Sequence, residues 1–285
     1  LLPEFKGTDK SNVTVLDMLT HQSGFPQTET GWPQCEWSES IRRILNQSRQ
    51  LEIGMAAYHP QSSWFLLGEI LCRLESADAT LSFSAILQRR LLNPLGMNHT
   101  TCGIEVSKLP ILADKLPVIY ERDKGQLVES NSCRIPWMTQ PSPGASLRGP
   151  MSELGRCYQM LLCGGTSPSG QQLVSNATIQ QMTSRHRFGK FDQTLQHTVD
   201  FGLGVVCNSN RYGAETVPYG FGQYCSEATF GHGGSQCSMA FCDPDRQLVV
   251  AWSANGFCGE GQHQRRNRMI NNAIYEDLGF KCKHS

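Results

Sequence analysis

The sequence has no excess charge, no long apolar run, no paired-cysteine motif and no repeat, and each absence removes a class of function. Lys plus Arg and Asp plus Glu number 25 each in 285 residues, so no net field favours nucleic acid or an anionic membrane surface. No apolar stretch reaches the roughly 20 residues that span a bilayer, and Leu1 to Lys10 does not have the pattern of a signal peptide. The twelve cysteines contain no C-x-x-C pair, which argues against a zinc ribbon or a thioredoxin-like centre. The absence of internal repeats excludes solenoids. A neutral or small partner fits what remains, with no metal and no cofactor called for.

What is present is a globular composition. With 39% hydrophobic residues the chain can bury a sizeable core. Cys72, Cys163, Cys207 and Cys242 sit inside apolar stretches and read as small buried hydrophobes with free thiols. Free thiols lean towards a cytoplasmic compartment, while disulfides in an exported protein stay open. Four N-x-S/T sequons begin at Asn12, Asn46, Asn98 and Asn176, a pattern too short to decide a compartment.

Trp64, Leu67, Leu71 and Leu74 recur at helical spacing after Pro60, predicting a helix over 61–75 with that stripe inward. A second helix is expected over 82–92, ended by Asn93-Pro94. A third runs over 151–163 between Pro150 and Gly164-Gly165, and Ser175 caps a short helix carrying Ile179 and Met182. Later in the chain 201–206 and 228–231 read as strands. Ser238 to Cys242 and Leu248 to Ala254 read as a hairpin turned by Asp243 to Gln247. A last helix over 264–278 presents Met269, Ile270, Ala273, Ile274 and Leu278 to cover that sheet. The expectation is one α+β domain over 1–285, helical over about 10–200, with a sheet and terminal helix over about 200–280.

Several strings are specific enough to name a family. Val13-Thr14-Val15-Leu16-Asp17-Met18-Leu19-Thr20-His21-Gln22-Ser23-Gly24-Phe25-Pro26 resembles the ITVRHLLTHTSGLP element of the serine β-lactamase-related family. Tyr58-His59-Pro60 before SSWFLLGEIL resembles that family's tyrosine motif, and Leu92 to Met97 its PLGM element. Pro143 to Leu162 is similar to its Gly-rich loop and following helix. Gly231-His232-Gly233-Gly234, followed by SQCSMAFCDPDRQLVVAWSANG, is similar to its GHGG strands. These matches run in family order through nearly the whole chain. The resemblance implies a β-lactamase/transpeptidase-like fold, an antiparallel sheet flanked by helices plus a mostly helical region, as in class C β-lactamases, penicillin-binding-type hydrolases and esterases.

The resemblance also implies acyl transfer through a serine ester. It makes Tyr58 the base and puts His232 on the strand lining the site. Gly233 and Gly234 would leave room for substrate there, His59 would line the cleft, and the Ser235 N–H would be one half of the oxyanion hole. His21 and Ser23 belong to a turn and not to the catalytic set. Cys237, five residues after His232, is a weaker candidate nucleophile. Histidine in place of lysine is neutral much of the time at pH 7, which favours an ester or small amide over a β-lactam.

One part of the pattern is absent. No Ser-x-x-Lys and no Gly-x-Ser-x-Gly occurs, and Ser107 is followed directly by Lys108. Relatives place Ser-x-x-Lys upstream of a YLPEF element, and this sequence opens with Leu1-Leu2-Pro3-Glu4-Phe5. The expectation is that the N-terminal strands and nucleophile helix are encoded upstream, and that these residues alone are inactive. The alternative is a non-catalytic binding or structural relative that has lost the nucleophile.

Overall fold

A computed structural model describes residues 1–25, 28–75 and 81–281; Pro26 of the first motif and Cys282 lie outside them. The described residues divide into two compact units. The first is Leu1–Pro117 with Asn131–Pro150 and Asp192–Thr194, and the second is Val118–Ser130, Met151–Phe191 and Leu195–Ser285.

The first unit is mainly helical. Helix α1 (Val15–Leu19) starts with a capping box: Asp17 N–H donates to the Thr14 hydroxyl at 3.1 Å, and Thr14 N–H donates to the Asp17 carboxylate at 2.8 Å. Helices α2 (Trp37–Asn46) and α3 (Ser62–Glu75) bury Ile41, Ile44, Phe65, Leu66 and Ile70 against Leu2, Phe5, Met18 and Phe25. The expected inward stripe of α3 is therefore corrected. Trp64, Leu67 and Leu71 are half-buried and Leu74 is 67% exposed. Residues 64–67 and 70–72 are apolar on more than one face, so periodicity offers two stripes, and the core takes the one carrying Phe65 and Leu66. Gly68 on that helix lets its neighbours close in, since a Cβ there would lie 2.8 Å from the Trp37 ring.

Helix α4 (Phe83–Leu87) widens into a π turn over Gln88–Leu92, closed by Asn93 N–H donating to Gln88 C=O at 2.9 Å. Asn93 itself keeps helical angles (φ −61°, ψ −49°). The helix ends where expected, but by widening its last turn and not through an extended residue before Pro94.

The second unit is a four-stranded antiparallel sheet between helices. Strands β1 (Tyr120–Asp123) and β2 (Gln126–Glu129) form a separate hairpin within the stretch expected to be helical. The main sheet consists of β3 (Val206–Cys207), β4 (Phe230–Gly234), β5 (Ser238–Asp243) and β6 (Leu248–Ser253), in the order β6-β5-β4-β3. The hairpin register runs from Ser238↔Ser253 to Asp243↔Leu248, and its turn is Pro244–Arg246 followed by Gln247 at φ +51°. A short strand, β7 (Gly256–Phe257), then pairs parallel to β1. The 201–206 strand is not continuous. Phe201 bridges to both Arg187 and Val206, so the chain reverses between them and only Val206–Cys207 joins the sheet. The next strand begins at Phe230, not Ala228, and runs on through His232 and both glycines.

One face of the sheet packs Phe230, Ala240 and Cys242 on helix α5 (Met151–Leu162) through Tyr158 and Leu161, with Met182 of helix α6 (Asn176–Thr183) at its margin. Ser175 caps α6, its hydroxyl accepting Thr178 N–H at 3.1 Å.

The other face meets helix α7 (Glu260–Asp277), and here the expected apolar face is corrected. Met269 and Leu278 are 62% and 52% exposed, Ala273 is exposed, and Ile270 and Ile274 are half-buried. The helix buries His263, Asn267, Asn271 and Tyr275, spaced four apart. Asn267 and Asn271 side chains donate to Gly220 C=O at 2.6 and 3.2 Å, Trp252 Nε1–H donates to Asn271 at 2.9 Å, and Tyr275 O–H donates to Asp243 at 2.7 Å. An apolar face would leave the Gly220 carbonyl and the Trp252 N–H buried without partners, which costs more than burying paired amides.

Asp243 makes the packing pH-dependent. Burial pushes its carboxyl up. The Ser226 hydroxyl (2.5 Å), the Ser226 N–H (3.0 Å) and the Tyr275 hydroxyl all donate to it and bring it below the ordinary carboxylate range. A carboxyl held lower in the folded than in the unfolded state stabilises above the unfolded pKa of about 4, and that contribution is lost as pH falls through the folded value. The thermal midpoint of the second unit is expected to fall as pH drops from about 5 through the lowered folded-state value. Asp243→Asn should cost about 2 kcal/mol at neutral pH and flatten that acid slope when followed by circular dichroism; an unchanged slope would count against this role.

Candidate active site

In the first unit the turn after α1 delivers the tyrosine motif. His21 takes φ +57° and Gly24 φ +89°. The carbonyls of Gln22 and His21 accept the N–H groups of Gly54 (2.9 Å) and Ala57 (3.0 Å), so the chain entering Tyr58 is laid along the turn. Tyr58 N–H donates to the buried Asp192 carboxylate at 3.0 Å, and its half-buried ring stands edge-on to the His21 ring at 4.7 Å.

His59 points the other way. It is 1% exposed, not a cleft-lining group as expected, because its ring is taken up by a buried polar cluster. Its N–H donates to His21 Nδ1 at 3.4 Å, so that atom carries a lone pair. His59 Nδ1, 3.4 Å from the same atom, is therefore the protonated nitrogen, and its Nε2 accepts from the Ser23 hydroxyl at 3.1 Å. Ser63 Oγ closes the cluster 3.0 Å from Ser23 Oγ. Ser23 is 0% exposed, and its geometry supports the turn role over nucleophilic attack on an external substrate.

In the second unit β4 carries the other candidates. Half-buried His232 donates from Nδ1 to Gly233 C=O at 2.6 Å, which leaves Nε2 as the basic nitrogen. Burial pushes its titration down and the Gly233 carbonyl opposes this only in part, so the imidazole is neutral at pH 7. The space expected beside the glycines is not empty. A Cβ on Gly233 would strike the Tyr219 ring, and one on Gly234 would strike the Ser238 hydroxyl. These glycines admit protein groups on that side. Strand β3 stops opposite Gly231, so Gly233 and Gly234 lie past the end of the neighbouring strand.

Tyr219 is a site neighbour that the sequence did not reveal. Its backbone sits at φ +54°, its N–H donates to Gln264 Oε1 at 2.7 Å and its hydroxyl donates to Glu260 at 3.0 Å. No turn motif or periodicity marks it.

Ser235 opens the tight turn from β4 to β5 and is exposed, and its N–H has no partner among the described residues. The turn is firmly held. The Gln236 amide donates to Glu260 and accepts from Gly259 N–H, both at 2.9 Å, and the Gln236 carbonyl accepts from Arg266 at 2.5 Å. Cys237 lies in the same turn and not opposite His232, whose cross-strand partner is Ala240.

The eleven cysteines among the described residues are free thiols. No cluster of three or more potential metal ligands occurs among the described residues, and no described helix is long and apolar enough to cross a membrane.

A family model described as beta-lactamase matches residues 1–274. No curated protein matches the chain. Among solved structures, the chain is similar to a penicillin-binding protein homolog from Caulobacter crescentus, at 25% identity and TM-score 0.70 over 94% of this chain and 73% of that one. It is similar in fold to a family VIII carboxylesterase, at 20% identity and TM-score 0.71 over 94% and 74% of the two chains. It is also similar in fold to EstA from Arthrobacter nitroguajacolicus Rue61a, at 19% identity and TM-score 0.69 over 98% and 76%.

Proposed function

The chain belongs to the beta-lactamase family, and from that premise we propose that it is part of a serine hydrolase that forms an acyl-serine on an ester or small amide and not on a β-lactam. The observation that carries the choice of substrate is the neutral His232, which offers no fixed positive charge to the carboxylate of a β-lactam. The family VIII carboxylesterase among the structural neighbours agrees with this at the level of fold.

The proposed chemistry is two acyl transfers. Tyr58 takes the proton of the nucleophilic serine as the serine oxygen bonds to the substrate carbonyl carbon. Collapse breaks the bond to the leaving alcohol or amine, which receives that proton. Water, activated by the same tyrosine, then cleaves the acyl-serine. The 285 residues contain no Ser-x-x-Lys, so on this reading the nucleophile is supplied by residues outside them.

The same observation favours a second reading, a binding relative without a nucleophile. Fluorophosphonate labelling of the natural gene product with peptide mapping separates the two. The hydrolase reading predicts one labelled serine within a Ser-x-x-Lys and none at Ser23, Ser63 or any other serine of the 285 residues. No labelling at all would establish the binding relative, and labelling at Ser23 would overturn the assigned roles.

A further inference from the structure

We propose that the second unit carries an anion site, distinct from the residues assigned to hydrolysis, in the cavity of about 600 Å3 lined by Arg122, Cys258, Gln262 and Arg266. The backbone explains the convergence. Strand β7 pairs parallel to β1 with Phe257 opposite Glu121, so the chain leaves the pair at Cys258, next to the position of Arg122. Helix α7 then sets Gln262 and Arg266 four residues apart, on one side of the helix.

The charge is uncompensated. No carboxylate lines the cavity, and neither Arg122 nor Arg266 has an ion-pair partner among the described residues. Arg266 donates to the Gln236 and Gly256 carbonyls, while its Nε–H is buried without an acceptor among the described residues. The nearest acids are engaged or turned away. Glu260 accepts from Tyr219 and Gln236, and strand alternation sends Glu121 and Asp123 to the face opposite Arg122. His263, beside Arg266, is held neutral by burial and by that guanidinium, so the local field stays positive through the two arginines.

Two guanidinium groups with an amide and no acid recognise an oxyanion, because planar N–H pairs match carboxylate and phosphate oxygens. The volume falls within the range of small-molecule sites. The ligand class is a small organic carboxylate or phosphate.

Cys258 provides a reporter inside the cavity. Alkylation by iodoacetate and by iodoacetamide is the same displacement of iodide by a thiolate and differs only in the charge of the reagent. The iodoacetate to iodoacetamide rate ratio at Cys258 should exceed that at exposed Cys163 by about ten-fold at low ionic strength. Inorganic phosphate at constant ionic strength should slow Cys258 and not Cys163. Arg122→Gln, on an exposed strand residue, and Gln262→Glu, which supplies an internal counter-charge, should each bring the ratio at Cys258 down to that at Cys163. Arg266 is left intact because it also holds the Gln236 turn. Equal ratios at the two cysteines in the unaltered protein, no reaction at Cys258 with either reagent, or a ratio that survives both substitutions would overturn the site. None of these outcomes depends on hydrolase activity.

Discussion

Gly24→Ala is expected to destabilise the first unit by about 3 kcal/mol or more, from two costs that add at one position. The residue sits at φ +89°, a region that costs an L side chain about 1–2 kcal/mol. A Cβ there would also strike the Leu51 carbonyl, and this contact cannot be relieved by a rotamer change. The two segments are clamped at that point, because Gln50 and Leu51 N–H groups donate to the Gly24 carbonyl at 2.7 and 3.0 Å. Gly54 separates the costs. It has φ +92° with nothing within 4 Å of a built Cβ, so Gly54→Ala carries the conformational strain alone. Urea unfolding should place Gly24→Ala clearly below Gly54→Ala; equal losses would mean that the Leu51 contact gives way and the clamp is softer than described. The loss at Gly24 extends to the site, since the same turn presents Ser23 to His59 and His21 to Tyr58.

What could be read in advance follows from how local each signal is. The Ser238–Ser253 hairpin, the Ser175 cap and helix α5 depend on alternation, a capping hydroxyl and turn residues within a few positions of each other. The family strings were legible for the same reason. The buried faces of α3 and α7 were not, because partners distant in sequence choose them. Phe5 and Ile44 select the Phe65–Leu66 face of a helix that is apolar nearly all round. Asn267 and Asn271 are buried only because Gly220 and Trp252 bring an acceptor and a donor to them. Periodicity scores amides as solvent-facing and cannot see that match.

The candidate site divides the same way. The family strings nominate Tyr58, His232 and Ser235. The burial of His59, and the Tyr219 ring filling the space beside Gly233, arise from contacts between segments far apart in the chain.

Tyr58→Phe is expected to lower kcat by about 10²–10⁴-fold in a polypeptide that carries the nucleophile together with these residues, the range for losing a positioned general base. Only the hydroxyl is removed. The anchor from Tyr58 N–H to Asp192 and the ring contact with His21 do not use it, so both contacts survive the substitution. A residue that merely filled space would show the reverse, with activity kept and stability changed.

On the proposed function, Tyr58 is the proton-transfer tyrosine of an acyl-serine hydrolase. The most direct test is steady-state hydrolysis of p-nitrophenyl acetate by the full natural gene product and its Tyr58→Phe variant, at matched thermal stability. Turnover by the natural protein and a loss of at least about 10²-fold in kcat in the variant, with KM little changed, are expected. Turnover within two-fold of the natural protein, or none in either, would contradict it.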